Sequence, residues 1–334
     1  MRNPINKQDL VALREQISAA ETIAISGHQH PDGDCVGSTL GLYNYLTSLY
    51  PDKKIDLYLE PIQEPFKFLA NADKIRHEHT EEEKYDLYFS LDCSDTERLG
   101  FNENYYLETP YKVCIDHHIT NQGFGDLRFI YPDMSSTSEI LFYMLDEDKI
   151  DLAVAEALYM GIVHDTGVFK HTNTTRMTME AAGALIEKGI QTEEIIDSTF
   201  YKKTYIQNQI LGRALMESIL MLDGRMIFSV VTQKDFKFYG IDGSDLDGIF
   251  DQLRITEGVE CAVLLHETKE GDYKVSMRSN DLVNVSKIAT FFGGGGHVKA
   301  AGCTCHGTWR DIVMNIAKMV ESQLDGEAHA KVDA

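Results

Sequence analysis

The sequence predicts an α/β protein: a doubly wound, parallel-sheet domain followed by a smaller α+β domain. Three observations carry that reading. Short β-branched runs alternate with helical stretches through the first half, the pattern of parallel strands joined by crossover helices. Three of those runs end abruptly in groups that bind metals or protons. Ile23-Ala24-Ile25-Ser26-Gly27 leads into His28-Gln29-His30-Pro31-Asp32-Gly33-Asp34, Leu87-Tyr88-Phe89-Ser90-Leu91 into Asp92, and Val113-Cys114-Ile115 into Asp116-His117-His118. The second half changes rhythm, with neighbouring strands and fewer helices. Ligands of open parallel sheets bind beyond the carboxyl ends of the strands, so the three endings point to one site.

Leu10, Leu13 and Ile17 share one face of an opening helix at 9–20. A second helix, about 35–50, follows the first strand; Gly37 and Gly41 permit close approach to the sheet, and Pro51 ends it. Strands are expected at 55–59, 85–91, 111–115 and 127–131, with the charged stretch 78–84 as a solvated turn. Ser135-Ser136-Thr137-Ser138-Glu139 opens a helix as a capping box, in which hydroxyl and carboxylate satisfy exposed amides at the helix start. Helices at 152–163 and 178–188 complete a first domain, 1–190. Residues 191–217 read as a helical, polar connector, semi-rigid because no Pro–Gly–Ser run interrupts it. The second domain, 218–325, runs strand 225–232, helix 246–253, strands 259–266 and 273–279, and helix 283–292. A glycine loop, a short strand at 303–306 and a helix from 309 finish it, and 326–334 reads as a disordered tail.

The 334 residues, 43% of them hydrophobic, suffice for two domains with ordinary cores. No apolar run approaches the roughly 20 residues of a membrane helix, and the first residues lack the apolar core of a signal peptide. The expected setting is cytoplasmic, away from membranes. A net charge of −22 argues against long duplex nucleic acid, whose binding requires a basic track. Small anionic substrates fit better, with bound cations offsetting part of the acid excess. Of six cysteines only Cys303 and Cys305 lie close together, at a spacing unsuited to a zinc knuckle. They read as small core hydrophobes.

Pro31-Asp32-Gly33-Asp34 sets two carboxylates on a tight turn beside His28. Alone, such a turn is usually a surface feature. Asp92 and Asp116 at further strand ends, and Asp165 between an apolar helix and Gly167, change the weighing. Five carboxylates in one crevice repel unless cations hold them. Hard oxygen donors with one or two imidazoles and no thiolate suit Mn²⁺ or Mg²⁺, so the residues imply a two-metal centre. In the second half, Gly293-Gly294-Gly295-Gly296-His297 permits a backbone nest whose N–H groups hold an anion. With Arg278-Ser279 nearby, it reads as a substrate clamp rather than a flexible turn.

In this order the motifs resemble those of the DHH–DHHA1 phosphoesterases, and closely those of the nano-RNase and pAp-phosphatase branch. The resemblance covers almost the whole chain: His28-x-x-Pro31-Asp32-x-Asp34-x-x-Gly37-Ser38, Asp92, Asp116-His117-His118, the 135–139 capping box, Asp165-Thr166-Gly167, Arg278-Ser279, the glycine run with His297, and Ala300-Ala301-Gly302. It implies metal ligands at His28, Asp32, Asp34, Asp92, His117 and Asp165, with Asp92 bridging two Mn²⁺ ions and Mg²⁺ as the alternative. Catalytic roles fall to Asp92, Asp116, His117 and His118, with Asp116 orienting an imidazole and His118 meeting the substrate phosphate. Substrate contacts are expected from His118, Ser135, Ser136, Arg278, Ser279, Gly294, Gly295, Gly296 and His297. His30 and His164 stand where relatives often carry Asn and Thr, and read as neutral substitutions.

The activity implied is hydrolysis of short oligoribonucleotides to mononucleotides, by a water activated between ions about 4 Å apart. Removal of the 3′-phosphate from pAp is a second activity. Cleavage of cyclic di-AMP or pApA is the alternative; inorganic pyrophosphatase and a non-catalytic nucleotide sensor come behind it. The partners implied are short RNA and small adenine nucleotides, with a homodimer left open. Placing chemistry and grip on separate domains implies that efficiency falls beyond about five nucleotides.

Overall fold

Parallel strands, each ending in a loop at the same edge, form the sheet of the first of two units. The structure is a computed structural model describing residues 4–80, 83–246 and 248–332. Residues 81–82 of the charged stretch, 247 in the helix expected at 246–253, and 333–334 of the expected tail lie outside the described residues. The chain divides into Met1–Lys202 and Lys203–Ala334. The first unit carries, in chain order, α1 (Lys7–Ala19), β1 (Thr22–Ser26), α2 (Gly33–Leu49), β2 (Lys54–Tyr58), β3 (Leu87–Leu91), α3 (Glu103–Glu108), β4 (Tyr111–Asp116), β5 (Leu127–Ile130), α4 (Thr137–Met144), α5 (Leu152–Asp165), α6 (Arg176–Glu187) and α7 (Thr192–Ile196).

The strand order is β2-β1-β3-β4-β5, parallel throughout. The chain steps outward from β1 to β2, then returns past β1 to β3 and continues the other way. Right-handed crossovers in opposite directions place their connections on opposite faces, which is the doubly wound arrangement. Ile23, Ile25, Phe89 and Ile115 pack with α2, α4 and α5 on one face. Ala24, Tyr58, Tyr88 and the α3 residue Tyr105 fill the other. The topological switch lies between β1 and β3, where such sheets form their ligand crevice. Gly37 and Gly41 were expected to bring α2 onto the sheet; they seat it on α5 instead. A Cβ on Gly37 would lie 2.5 Å from the Ala157 carbonyl oxygen, and one on Gly41 2.6 Å from Leu158 Cδ2.

The second unit carries α8 (Tyr205–Met216), β6 (Ile219–Met221), β7 (Met226–Val231), α9 (Gln233–Tyr239), α10 (Ile249–Arg254), β8 (Cys261–Lys269), β9 (Asp272–Ser279), α11 (Val285–Phe291), β10 (Gly295–His297), β11 (Ala300–His306) and α12 (Trp309–Val332). Its sheet runs β10-β11-β9-β8-β7-β6, with β7 and β8 parallel and the other pairs antiparallel. Strand alternation builds a core on each side. Met226, Phe228, Val263 and Met277 pack with α11 and α12, while Ile227, Ala262 and Leu264 pack with α8 and α10.

The stretch 191–217, read as a connector, is divided between the units. Ile195 joins the first core, and Ile210 and Ala214 join a core of the second. The last helix runs to Val332 through most of the expected tail, whose Ala and Glu rank high in helix propensity. Four elements have no counterpart in the sequence reading: α3 is only six residues long, β6 has three half-exposed residues, α9 is mostly polar, and β10 is two glycines and a histidine. Among the described residues no helix is long and apolar enough to cross a membrane.

Candidate metal centre

The turn after β1 bends directly into α2, and Asp32 caps that helix. Its Oδ1 accepts the N–H groups of Asp34 and Cys35, each at 3.1 Å. His28 is buried, and its Nδ1 lies 2.7 Å from the Gln29 carbonyl oxygen. A carbonyl only accepts, so Nδ1 carries the proton and Nε2 is left for the crevice. Nε2 lies 3.4 Å from Asp92 Oδ2 and 3.7 Å from Asp32 Oδ1.

Asp92, at the end of β3, has φ +53°, a left-handed conformation that aspartate tolerates better than most residues. The residue is 1% exposed. Its Oδ1 lies 3.6 Å from both His117 Nε2 and His118 Nδ1, and accepts the Thr137 hydroxyl at 3.1 Å. The two oxygens of one carboxylate therefore face different imidazoles. On the Oδ1 side, His117 Nε2 is 2.9 Å from Asp165 Oδ2 at the end of α5. Asp34, fully buried, accepts the N–H groups of Thr137 at 2.6 Å and Ser138 at 3.0 Å from the start of α4.

Among the described residues three donor groups result: His28–Cys35–Asp92, Asp92–His117–His118 and Asp34–His117–Asp165, each with its donor atoms within 4.8 Å of one another. Burial, then the charges of Asp92 and Asp165, push the Asp34 carboxyl well above its ordinary range. Burial likewise raises Asp165, against the pull of His117. Burial would lower His117, but Asp165, Asp34 and Asp92 outweigh it and lift the imidazole to about 10. Carboxylates kept apart from water and crowded together draw a proton onto the imidazole among them, and a divalent cation would displace that proton and supply the positive charge instead. The donors fit a hard ion: oxygens and imidazoles, with burial pushing the Cys35 thiol up to about 11 and so keeping it neutral.

Asp116 stands apart from these groups. Its Oδ1 accepts from His118 Nδ1 at 2.7 Å and its Oδ2 from the Asn121 amide at 2.7 Å. Burial alone would raise this carboxyl, yet the two hydrogen bonds hold it below the usual range. The same bond to Asp116 raises His118 and turns its Nε2 away from Asp116. His30 and His164 lie outside the donor groups. His30 is exposed, its backbone N–H held by Glu60 at 2.7 Å. His164 packs edge-on between Phe66 and Phe200 and against Gly33.

Two of the residues expected to meet substrate lie at the start of α4. Ser135 and Ser136 are fully buried. The Ser135 N–H and hydroxyl both donate to Glu139 Oε2, at 2.9 and 2.5 Å, while Ser136 Oγ accepts the Glu139 N–H at 3.0 Å. Ser136 is the N-cap of α4, and Glu139 reaches back to the residue before it, so both serines are engaged in holding the helix start. The reading missed Thr137 and Asn121, which hold Asp92 and Asp116. No local pattern marks either, because both partnerships arise from tertiary packing.

In the second unit the sheet register decides. His297 pairs with Ala300, and Ala300 pairs with Arg278. Directly opposed residues share a face, so Arg278 and His297 lie on one face, two strand spacings or about 10 Å apart, across a small alanine. Phe250 supports the Arg278 guanidinium at 5.2 Å. Ser279, next along the strand, faces the other way and is buried, so it does not join them.

The glycine run is also not a nest of successive free amides. Gly293 takes φ +78° and ends α11: its N–H donates to the Thr290 carbonyl at 3.0 Å, and that of Gly294 to Ala289 at 2.8 Å. Gly295–His297 is then a strand, where close pairing demands glycine. A Cβ on Gly296 would lie 2.5 Å from the Ala300 oxygen. Lys287 lines a cleft with Ser286, Thr290 and His297 and was not singled out by the sequence.

Comparison with known proteins bears on this geometry. The DHH family N-terminal domain matches residues 22–162, and the DHHA1 domain matches 223–325. This chain belongs to the DHH phosphoesterases. It is 30% identical over 305 residues to the bifunctional oligoribonuclease and PAP phosphatase NrnA of Thermus thermophilus, covering 90% of this chain and 89% of that protein. It is 26% identical to the protein of the same name from Bacillus subtilis, over 87% and 91% of the two chains. The fold matches that of an exopolyphosphatase-related protein from Bacteroides fragilis with a TM-score of 0.85, over 96% and 98% of the chains at 24% identity. As a DHH phosphoesterase the protein is a hydrolase acting on phosphoester bonds, in a metal-dependent family.

Proposed function

We propose that the protein hydrolyses short oligoribonucleotides to mononucleotides and removes the 3′-phosphate of pAp, using two Mn²⁺ ions held by His28, Asp32, Asp34, Asp92, His117 and Asp165. The observation that carries this reading is the Asp92 carboxylate, whose Oδ2 faces His28 while Oδ1 faces His117. One group thereby serves two donor sets. Bound there, divalent cations supply a deprotonated water near neutral pH and neutralise charge developing on the phosphate oxygens. The chain's own groups do the rest. Asp116 fixes the His118 ring through Nδ1, leaving Nε2 of a side chain that is 32% exposed to donate to a substrate phosphate. Arg278 and His297 offer donors on one sheet face to a nucleotide phosphate.

Named activities of the relatives support RNA and pAp as substrates. A second reading, cleavage of cyclic di-AMP, draws support from 27% identity to the cyclic-di-AMP phosphodiesterase GdpP of Geobacillus thermodenitrificans, although this chain spans only 48% of that protein. The deciding experiment compares Mn²⁺-dependent turnover of pAp, pApA, cyclic di-AMP, and RNAs of graded length. Turnover of pAp and the shortest RNAs should lead. Rates should fall beyond about five nucleotides, because each added phosphate meets a strongly acidic chain. Preference for cyclic di-AMP would install the second reading, and equal rates on long strands would remove the length limit.

A further inference from the structure

We infer that the first turn of α4 builds one of the two ion sites and not the other, with Thr137 as its positioning residue. The inference rests on the two-ion reading above. Thr137 is fully buried. Its hydroxyl donates to Asp92 Oδ1 at 3.1 Å and its N–H to Asp34 Oδ2 at 2.6 Å, while the Ser138 N–H takes Asp34 Oδ1 at 3.0 Å. One helix start thus grips both carboxylates that face His117 and Asp165. That start is itself braced: Glu139 Oε2 accepts from the N–H and hydroxyl of Ser135 and from the Thr178 hydroxyl at 2.9 Å.

The other members of the second donor set are held away from α4. Asp32 is fixed by the amides that open α2, and His28 by the Gln29 carbonyl. Asp92 contributes Oδ2 there, the oxygen Thr137 does not touch. Two helix starts therefore organise two sites that share one carboxylate. A hydroxyl beside a carboxylate acts only as a donor. By occupying one lone pair of Oδ1, Thr137 decides where the other lone pair of that oxygen points, while Oδ2 keeps its place facing His28. Partners that orient a ligand in this way are typically worth about 10–100-fold in metal affinity.

The test uses the full chain with Thr137→Val, which keeps the shape and loses the hydroxyl, and Thr137→Ser, which keeps the hydroxyl. Mn²⁺ is titrated into each by calorimetry, and electron paramagnetic resonance distinguishes a coupled ion pair from isolated ions. Wild type should bind two ions. Thr137→Val should bind the first with unchanged affinity and the second about 10–100-fold more weakly, with the coupled-pair signal giving way to that of isolated Mn²⁺. Thr137→Ser should restore both sites. Two wild-type affinities in the valine variant, or equal weakening of both sites, would overturn the inference. If the valine variant does not fold, Thr137→Ala replaces it under the same criteria. A wild type that binds a single ion would instead overturn the two-ion reading itself.

Discussion

Asp34 and Asp92 are at most 1% exposed and each accepts hydrogen bonds from the start of α4, whereas Gly295, Gly296 and His297 of the second unit lie exposed on a sheet edge. Arg278 donates to the neighbouring Met277 carbonyl and rests on Phe250. The contrast has a physical cause. A buried carboxylate without partners costs several kcal/mol, so the fold must fix these groups before any ion arrives. An exposed imidazole already bonds to water and can be left for the ligand to order. One region is organised by folding, the other by binding.

Removing the shared carboxylate is the harshest test of that difference. Asp92→Ala should lower turnover at least about a thousandfold, while the metal-free protein keeps its unfolding midpoint, since one of several mutually repelling carboxylates has gone. Near-normal Mn²⁺-dependent turnover would remove the assignment. Chelation probes the same region without mutation. At about 100 times the dissociation constant, each bound Mn²⁺ should stabilise the first unit by about 2.7 kcal/mol. Hydrogen exchange should show this protection lost with chelator in β1, β3 and β4, and no change in β8 and β9. Equal changes in both units would break the contrast.

On the other side, Arg278→Ala and His297→Ala should raise KM for pAp and short RNA by roughly 10–100-fold, the worth of a charge-assisted hydrogen bond. A small chromogenic phosphodiester, with no nucleotide for these groups to hold, should be far less affected. Equal losses on both substrates would show that the two residues serve the fold. The smallest effect concerns Ser136. As an N-cap, Ser136→Ala should cost about 1 kcal/mol of stability, measured by denaturant unfolding, with KM unchanged. A raised KM at full stability would return the residue to the substrate.

Much of the candidate centre was legible because its residues stand where local patterns change. A β-branched run that stops at Asp92, or at Asp116-His117-His118, marks a strand end without any knowledge of its neighbours, and parallel strands bring such ends to one edge. Ser135–Ser138 shows the limit. The capping pattern was visible, but not that the capping hydroxyls are buried, or that Thr137 reaches an aspartate 45 residues earlier in the chain. Arg278-Ser279 was read as a pair, although strand alternation sends the two side chains to opposite faces. The glycine run looked like a nest because glycine signals conformational freedom, and only the pairing with β11 shows that it is needed for close approach.

The sequence by itself determined the α/β class, the succession of most elements and the residues that end the strands, because helix and strand periods, caps and turn residues act over a few positions. Tertiary structure alone decided which Asp92 oxygen meets which imidazole, that Gly37 and Gly41 seat α2 on α5, and that Arg278 shares a face with His297. These depend on strand order, register and the packing of one helix start against another. Their contacts join residues far apart in the chain, and no local periodicity records them.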